Sequence, residues 1–198
     1  TGTISDAFLE LYRAGKLTNA HKELDTGLSA WNLAMGSQEL YDWLDAEPQL
    51  FHPGDLDYIH SVERISKLSN VISINGGVQL DLMGQENAES TGTRQLSGIG
   101  GQMDFLEGAF RSKGGKGFIC INSSRVTKDG ERKSNILAAI PGGSTISAPR
   151  TMIQYVATEY GIASLSGKTL RERAEAMASI AHPDFREELM KYARENYK

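Results

Sequence analysis

The sequence predicts an α/β domain: an open, mostly parallel or mixed sheet flanked by helices. Short apolar, β-prone runs alternate with stretches of helical period along the chain. A glycine-rich stretch, Ser97-Gly98-Ile99-Gly100-Gly101, lies between a strand-rich region and a helix, as at a strand-to-helix turn. The 198 residues, 39% hydrophobic and 23% charged, suit one large domain, taken as residues 1–198, with a single continuous core.

The elements follow in order. Ser5 or Asp6 reads as an N-cap, with Phe8, Leu9, Leu11 and Tyr12 behind it and Gly15 as the stop. Leu28 to Met35 is apolar and reads as a buried strand. Ser37 caps a second helix holding Leu40, Tyr41 and Leu44, which ends before Pro48. His52-Pro53-Gly54 reads as a loop. Val71, Ile72 and Ile74 make a strand; after Gly76-Gly77, Val78, Leu80 and Leu82 resume with period two. The glycine-rich stretch leads into a helix with Phe105, Leu106, Ala109 and Phe110. Lys116 to Asn122, Asn135 to Ile140, Thr145 to Ala148 and Met152 to Val156 are further strand candidates. The tail is helical from Leu170 to Ala181, and Pro183 begins a last helix. With helices concentrated at the two ends, the middle is strand-rich.

The formal net charge of −4 gives no basic footprint for nucleic acid. No apolar run approaches a membrane span. The opening TGTISDAF is neither basic nor strongly apolar and does not read as a signal peptide. A helix begins within a few residues of it, so an upstream part, or another segment completing the site, is expected. The cytoplasm is the expected compartment. Cys120 is the lone cysteine, so no internal disulfide and no cysteine metal cluster form; within Gly117-Phe-Ile-Cys-Ile it reads as a buried structural thiol. His21, His52, His60 and His182 show no ligand spacing, so structural or surface roles are expected of each and no metal is implied.

The glycine-rich stretch is the strongest local signal. Glycines let a ligand approach backbone N–H groups, and a following helix N-terminus adds partial positive charge. That combination holds a phosphate, a thioester carbonyl or an oxyanion; a ligand-free tight turn is the equally weighted alternative. It is not a dinucleotide fingerprint, because position 103 is Met103. Gly161 to Thr169 imitates a phosphate-binding P-loop but has five residues between its glycines where four are needed. It reads instead as the approach to the helix at Leu170. Arg125, Lys128, Arg132 and Lys133 read as a solvated hairpin tip around Gly130. Arg111, Lys113 and Lys116, just after the glycine-rich turn, read as a solvated helix end, with contact to cofactor phosphates as the alternative.

Six strings in series, SDAFLELYRAGKLTN, VISINGGVQLDLMGQ, ESTGTRQLSGIGGQMDF, RSKGGK, TEYGIASLSGKTLRERA and IAHPDFREEL, run from Ile4 to about Leu189. Together they resemble the C-terminal half of the acetyl-CoA hydrolase/transferase family, of the 4-hydroxybutyrate and butyrate:acetate CoA-transferase type. The resemblance implies a C-terminal domain whose partner is the N-terminal half of a longer enzyme, with the active site between two related α/β domains. It implies acyl-CoA and a small carboxylate as substrates, coenzyme A carried as substrate with no permanently bound cofactor, and a glutamate that attacks the thioester to pass through a glutamyl-CoA intermediate. Hydrolysis of acyl-CoA is the alternative within the family. Oligomeric state stays open, a homodimer being the commonest assembly.

By the same resemblance, Asn75 contacts CoA and Gly98 approaches CoA or the thioester. Gly100 and Gly101 shape the turn, with Gly101 as a candidate oxyanion donor. Asp104 and Phe105 are expected to start and pack the helix, and Glu89 and Glu159 to be structural acids. One departure stands out. The family's nucleophilic glutamate precedes Ile-Ser-Asp in a string like H-T-E-M-I-S-D, and here that position is Gly2. Glycine cannot attack a thioester, so this chain alone is expected to have negligible transferase activity, and a CoA-binding module without catalysis is a further reading.

Overall fold

The computed structural model describes residues 1–197. The first third builds a small layer of short strands and helices: β1 (Thr3–Ile4), α1 (Asp6–Arg13), β2 (Ser29–Trp31), β3 (Leu33–Ala34), α2 (Gln38–Ala46), a 3-10 turn at Pro48–Leu50, β4 (Phe51–Pro53), α3 (Leu56–Ile59) and α4 (Val62–Lys67). Ser5 occupies the N-cap of α1 without a side-chain capping bond. Asp6 reaches across instead, accepting from the Ser37 backbone N–H at 3.1 Å and from Ser37 Oγ at 2.6 Å. Ser37 in turn caps α2 through Leu40 N. This ties the starts of the two helices together over a cluster of Ile4, Leu9, Leu40, Trp43 and Phe51, in which Trp43 meets Phe51 edge-on at 4.8 Å.

The remainder is the larger layer. It comprises β5 (Ile72–Gly76), β6 (Gln79–Asp81), β7 (Glu86–Asn87), β8 (Ser90–Thr91), β9 (Arg94–Gln95), α5 (Gln102–Arg111), β10 (Lys116–Cys120), β11 (Ser124–Val126), β12 (Arg132–Ser134), β13 (Ile136–Leu137), β14 (Tyr155–Thr158), β15 (Gly161–Ser164), α6 (Leu170–Ser179) and α7 (Pro183–Asn196). The principal sheet has the order β15-β14-β10-β5. Its three strands β5, β10 and β14 run parallel, and β15 closes one edge antiparallel. A second sheet, β13-β6-β7, stands beside it. Helices α5 and α6 pack over the principal sheet, and Leu106, Ile119, Val156, Ala163 and Met177 share one buried cluster. The guanidinium of Arg173 pins this layer together, donating to the carbonyls of Met83, Leu165 and Arg150 at 2.7–2.8 Å.

Among the described residues, only one face of the principal sheet is covered. Ser73, Ile119, Val156 and Ala163 point into the core. On the opposite face Ile72, Ile74 and Ile162 are 51%, 68% and 64% exposed, beside the stacked rings of Phe118 and Tyr155 at 4.8 Å. Parallel sheets are ordinarily covered on both faces.

The α/β class and the mixed sheet agree with the sequence reading, and several details differ. Two hydrophobic clusters form where one continuous core was expected. The Leu28–Met35 run is not one buried strand. It breaks at Asn32, because its first part pairs with β4 and its second with β1. His52-Pro53 consequently belongs to a strand rather than a loop. Leu80 and Leu82 are buried as the period implied, but Gln79 and Asp81 are buried as well, since β6 lies between two neighbours inside the fold. Thr145 to Ala148 contributes only an isolated bridge, Ala148 to Glu86. The strand sought at Met152–Val156 lies later, at β14. The false P-loop contains β15, and its Thr169 makes a full capping box with Glu172 at the start of α6. Cys120 is exposed, not buried, because it falls on the bare face at the end of β10. Its thiol is pushed up by partial desolvation, which argues against a ready nucleophile.

Candidate functional site

A cleft of about 950 Å³ opens where the C-terminal end of β5 meets the N-terminus of α5 and the loops of the smaller layer. In open α/β sheets, crevices outside the carboxyl ends of the strands are where ligands bind. Gly2, Asn75, Gly76, Gly100, Gly101, Gln102 and Phe105 line it together with Asn32 and His60.

His60 is the hub of these walls. Its Nε2 lies 3.3 Å from Asn32 Oδ1, its Nδ1 lies 3.5 Å from Asp104 Oδ2, and its ring meets Phe105 edge-on at 5.2 Å. The imidazole is thus held between two oxygen acceptors. Two glycines give it room. A Cβ at Gly2 would stand 3.1 Å from His60 Nε2 and 3.3 Å from Phe105, and a Cβ at Gly101 would collide with the His60 ring. Gly101 is the N-cap of α5 at φ −89°, so close approach of the imidazole, not backbone conformation, requires glycine there. Gly100 is different: its φ is +58° with nothing near its Cβ, so the turn itself asks for glycine. The first-turn N–H groups of α5 open beside these glycines, and a helix N-terminus favours negative charge.

Asn75 stands on the covered side of β5 at its C-terminal end, where its amide donates to Ser73 Oγ at 2.8 Å. Gly98 is set apart from this group. It is exposed, no protein atom comes within 4 Å of where its Cβ would be, and it is not part of the cleft wall. The fold therefore brings Gly2, Asn75, Gly100 and Gly101 to one place and leaves Gly98 on the adjoining rim.

Asp104 and Phe105 do more than start and pack a helix, since both touch His60. Glu89 and Glu159 are both tied into the fold by hydrogen bonds. Glu89 accepts from Ser147 Oγ at 2.6 Å, and Glu159 accepts from Ser123 N and Oγ at 2.9 and 2.5 Å. For Glu159, partial burial works upward, but the Ser123 bonds outweigh it and hold the carboxyl below the usual range.

A second wall was not legible in the sequence. Lys22, Asp25, Tyr58 and Arg64 line the far side of the same cleft. Burial pushes the Asp25 carboxyl up, yet Tyr58 Oη donating at 2.7 Å and Arg64 at 3.0 Å outweigh it and hold the group below its ordinary value. The Arg64 guanidinium also lies over the Tyr58 ring, 3.4 Å from its centroid. Two cations around one carboxylate leave this wall with a surplus of positive charge. The contacts span more than thirty positions of sequence, which no local motif encodes.

The chain is 43% identical over 188 residues to the butyryl-CoA:acetate CoA-transferase of Anaerostipes caccae, a match covering 95% of this chain and 42% of that protein. It is 44% identical over 187 residues to the 4-hydroxybutyrate coenzyme A transferase of Clostridium kluyveri, covering 94% and 43%. The crystal structure of the 4-hydroxybutyrate CoA-transferase of Porphyromonas gingivalis superposes with a TM-score of 0.82 at 36% identity, over 100% of this chain and 45% of that one. The chain thus spans about two fifths of the length of the curated relatives it matches. Among the described residues, no helix is long and apolar enough to cross a membrane. Residues 36–193 match the family model described as the acetyl-CoA hydrolase/transferase C-terminal domain, and the chain belongs to that family.

Proposed function

We propose that this chain is the C-terminal domain of a longer CoA-transferase that moves CoA between an acyl-CoA and a small carboxylate. The observation that carries the reading is that Gly2, Asn75, Gly100 and Gly101 line one cleft at the start of α5, with Gly2 and Gly101 against His60. Backbone N–H groups at the α5 N-terminus suit the oxyanion that forms when a carboxylate adds to a thioester. The Lys22 and Arg64 wall suits the anionic part of CoA.

In the covalent route, a carboxylate oxygen bonds to the thioester carbon, the C–S bond breaks, and CoA leaves as thiolate. The thiolate then attacks the enzyme-side carbonyl of the resulting anhydride, forming an enzyme–CoA thioester and releasing the first carboxylate. An acceptor carboxylate repeats both steps in reverse. Position 2 is where the attacking carboxylate belongs, beside His60 and facing the cleft. Gly2 itself supplies none, so the covalent route is closed to this sequence as it stands. That observation favours a second reading, acyl-CoA binding without transfer; hydrolysis, with water as acceptor, is the alternative within the family. The substrates, the N-terminal half as partner and a cytoplasmic location belong to the same proposal.

Gly98 provides the test of ligand approach. Neither packing nor backbone conformation asks for glycine there. In the complete polypeptide, Gly98→Val is expected to leave the melting temperature unchanged and to weaken acyl-CoA binding about tenfold or more, a cost of about 1.4 kcal/mol. Unchanged affinity by calorimetry removes Gly98 from the site.

A further inference from the structure

Among the described residues, Glu86 is the one carboxylate that the fold buries completely, at 0% exposure. It sits in β7, opposite Leu80 of β6, with its backbone bridged to Ala148. Its Oε2 accepts a hydrogen bond from Nε2 of Gln102, the first residue of α5 and part of the cleft wall. Its Oε1 has no partner among the described residues. A Cβ at Gly77, just past the end of β5, would lie 2.6 Å from that oxygen, so the chain leaves room for the carboxyl by having glycine there. The acid therefore occupies a dedicated seat beneath the cleft, and its side-chain hydrogen bond among the described residues is to a residue that faces the ligand space.

We propose that Glu86 is a positioning residue: in its protonated form it fixes the side-chain amide of Gln102, which then meets a carbonyl or carboxylate oxygen of the bound acyl-CoA or acceptor acid. The inference rests on the acyl-CoA reading above. A wholly buried carboxylate with one oxygen unpartnered is far costlier than the corresponding carboxylic acid, so the acid form is the one the seat tolerates. Burial pushes the group up to about 8; the Gln102 bond works downward and the nearby Glu89 upward. Among the described residues, Glu89 is the charged group acting on it. The other elements packed around it present Gln102 from α5, Leu80 from β6, Ala148, and Ile119 and Ile121 around Gly77.

The sign of the linkage is fixed by this upward shift. The folded state binds the proton more tightly than the unfolded chain does, so the stability it contributes is fully present below about 4.5. That stability is lost as pH rises through about 8. Once ionised, Glu86 places a negative charge directly behind Gln102 and opposes an anionic or oxyanionic ligand.

The test uses the complete polypeptide, with acetyl-CoA as the probe. Its affinity is expected to fall about tenfold between pH 7 and pH 9. Glu86→Gln, which keeps a partner for Gln102 but cannot ionise, is expected to bind within about threefold of wild type at pH 7 and to lose the alkaline fall. Glu86→Leu is expected to bind weakly at both pH values. In parallel, the side-chain amide resonances of selectively 15N-labelled Gln102 are expected to titrate near pH 8 in wild type and to stay flat in Glu86→Gln. An unchanged alkaline fall in Glu86→Gln, or wild-type affinity in Glu86→Leu, overturns the proposal. An amide titration without any acetyl-CoA binding overturns the acyl-CoA reading and leaves the Glu86–Gln102 coupling standing. Absence of that titration overturns the coupling itself.

Discussion

Placing a glutamate at position 2 of the complete polypeptide (Gly2→Glu) is expected to raise CoA transfer by at least about a thousandfold. That is the scale on which an enzyme registers its nucleophile, and it corresponds to about 4 kcal/mol of barrier. The geometry admits the change. The new Cβ would stand 3.1 Å from His60 Nε2 and 3.3 Å from Phe105, so those rings must yield by a few tenths of an ångström. The rest of the side chain then extends into a cleft of about 950 Å³. The measurement is transfer from acetyl-CoA to butyrate, together with intact-mass detection of a CoA adduct on the protein. Gly2→Gln supplies the same bulk without an attacking oxygen and is expected to stay at the starting rate. A folded Gly2→Glu protein with no gain and no adduct would show that position 2 does not face the thioester.

The second large effect is expected at Gly101. An alanine there drives its methyl group into the imidazole of His60, and the ring is hemmed in by Asn32, Asp104 and Phe105. It must move or α5 must shift, and either distorts the wall shared with position 2. A misplacement of about 1 Å near reacting groups costs on the order of a hundredfold in rate. In the Gly2→Glu background, Gly101→Ala is expected to lower kcat/KM by a hundredfold to about a thousandfold. Overpacking should also cost about 1–3 kcal/mol of stability. Gly100→Ala offers the contrast. Its Cβ meets nothing, so its penalty is the strain of a left-handed residue, about 1 kcal/mol. Equal losses of kcat/KM in the two variants, measured alongside thermal melts, would mean that His60 contact is not what distinguishes Gly101.

Much of this architecture was legible because local chemistry sets it. Ser37 before α2, Pro48 after it, Thr169 with Glu172 and Pro183 are boundary signals that act within a turn or two, and each helix appears where they indicate. The hairpin around Gly130 was legible for the same reason. What escaped was decided at a distance. Phe51–Pro53 is a strand because Ser29–Trp31 lies beside it, and Cys120 is exposed because one side of its sheet has no cover. In the site, the glycines and Asn75 announced themselves through composition and resemblance. His60 did not, since one histidine among four has no distinguishing spacing; its importance comes from Asn32 at the β2–β3 break and Gly101 and Asp104 at the start of α5 closing on it. Glu86 was equally silent. It sits in a polar string, Gly84 to Ser90, that reads as surface, yet the fold buries nearly all of it.

The bare side of the principal sheet changes how this chain behaves in solution. Three exposed isoleucines beside a half-buried stacked aromatic pair form an adhesive plane, and β5 lies at the edge of the sheet. Apolar planes of this kind attract one another more strongly as salting-out anions are added. Handled apart from whatever shields that plane, the polypeptide is expected to cluster in sulfate-rich buffers, which light scattering against sulfate concentration checks.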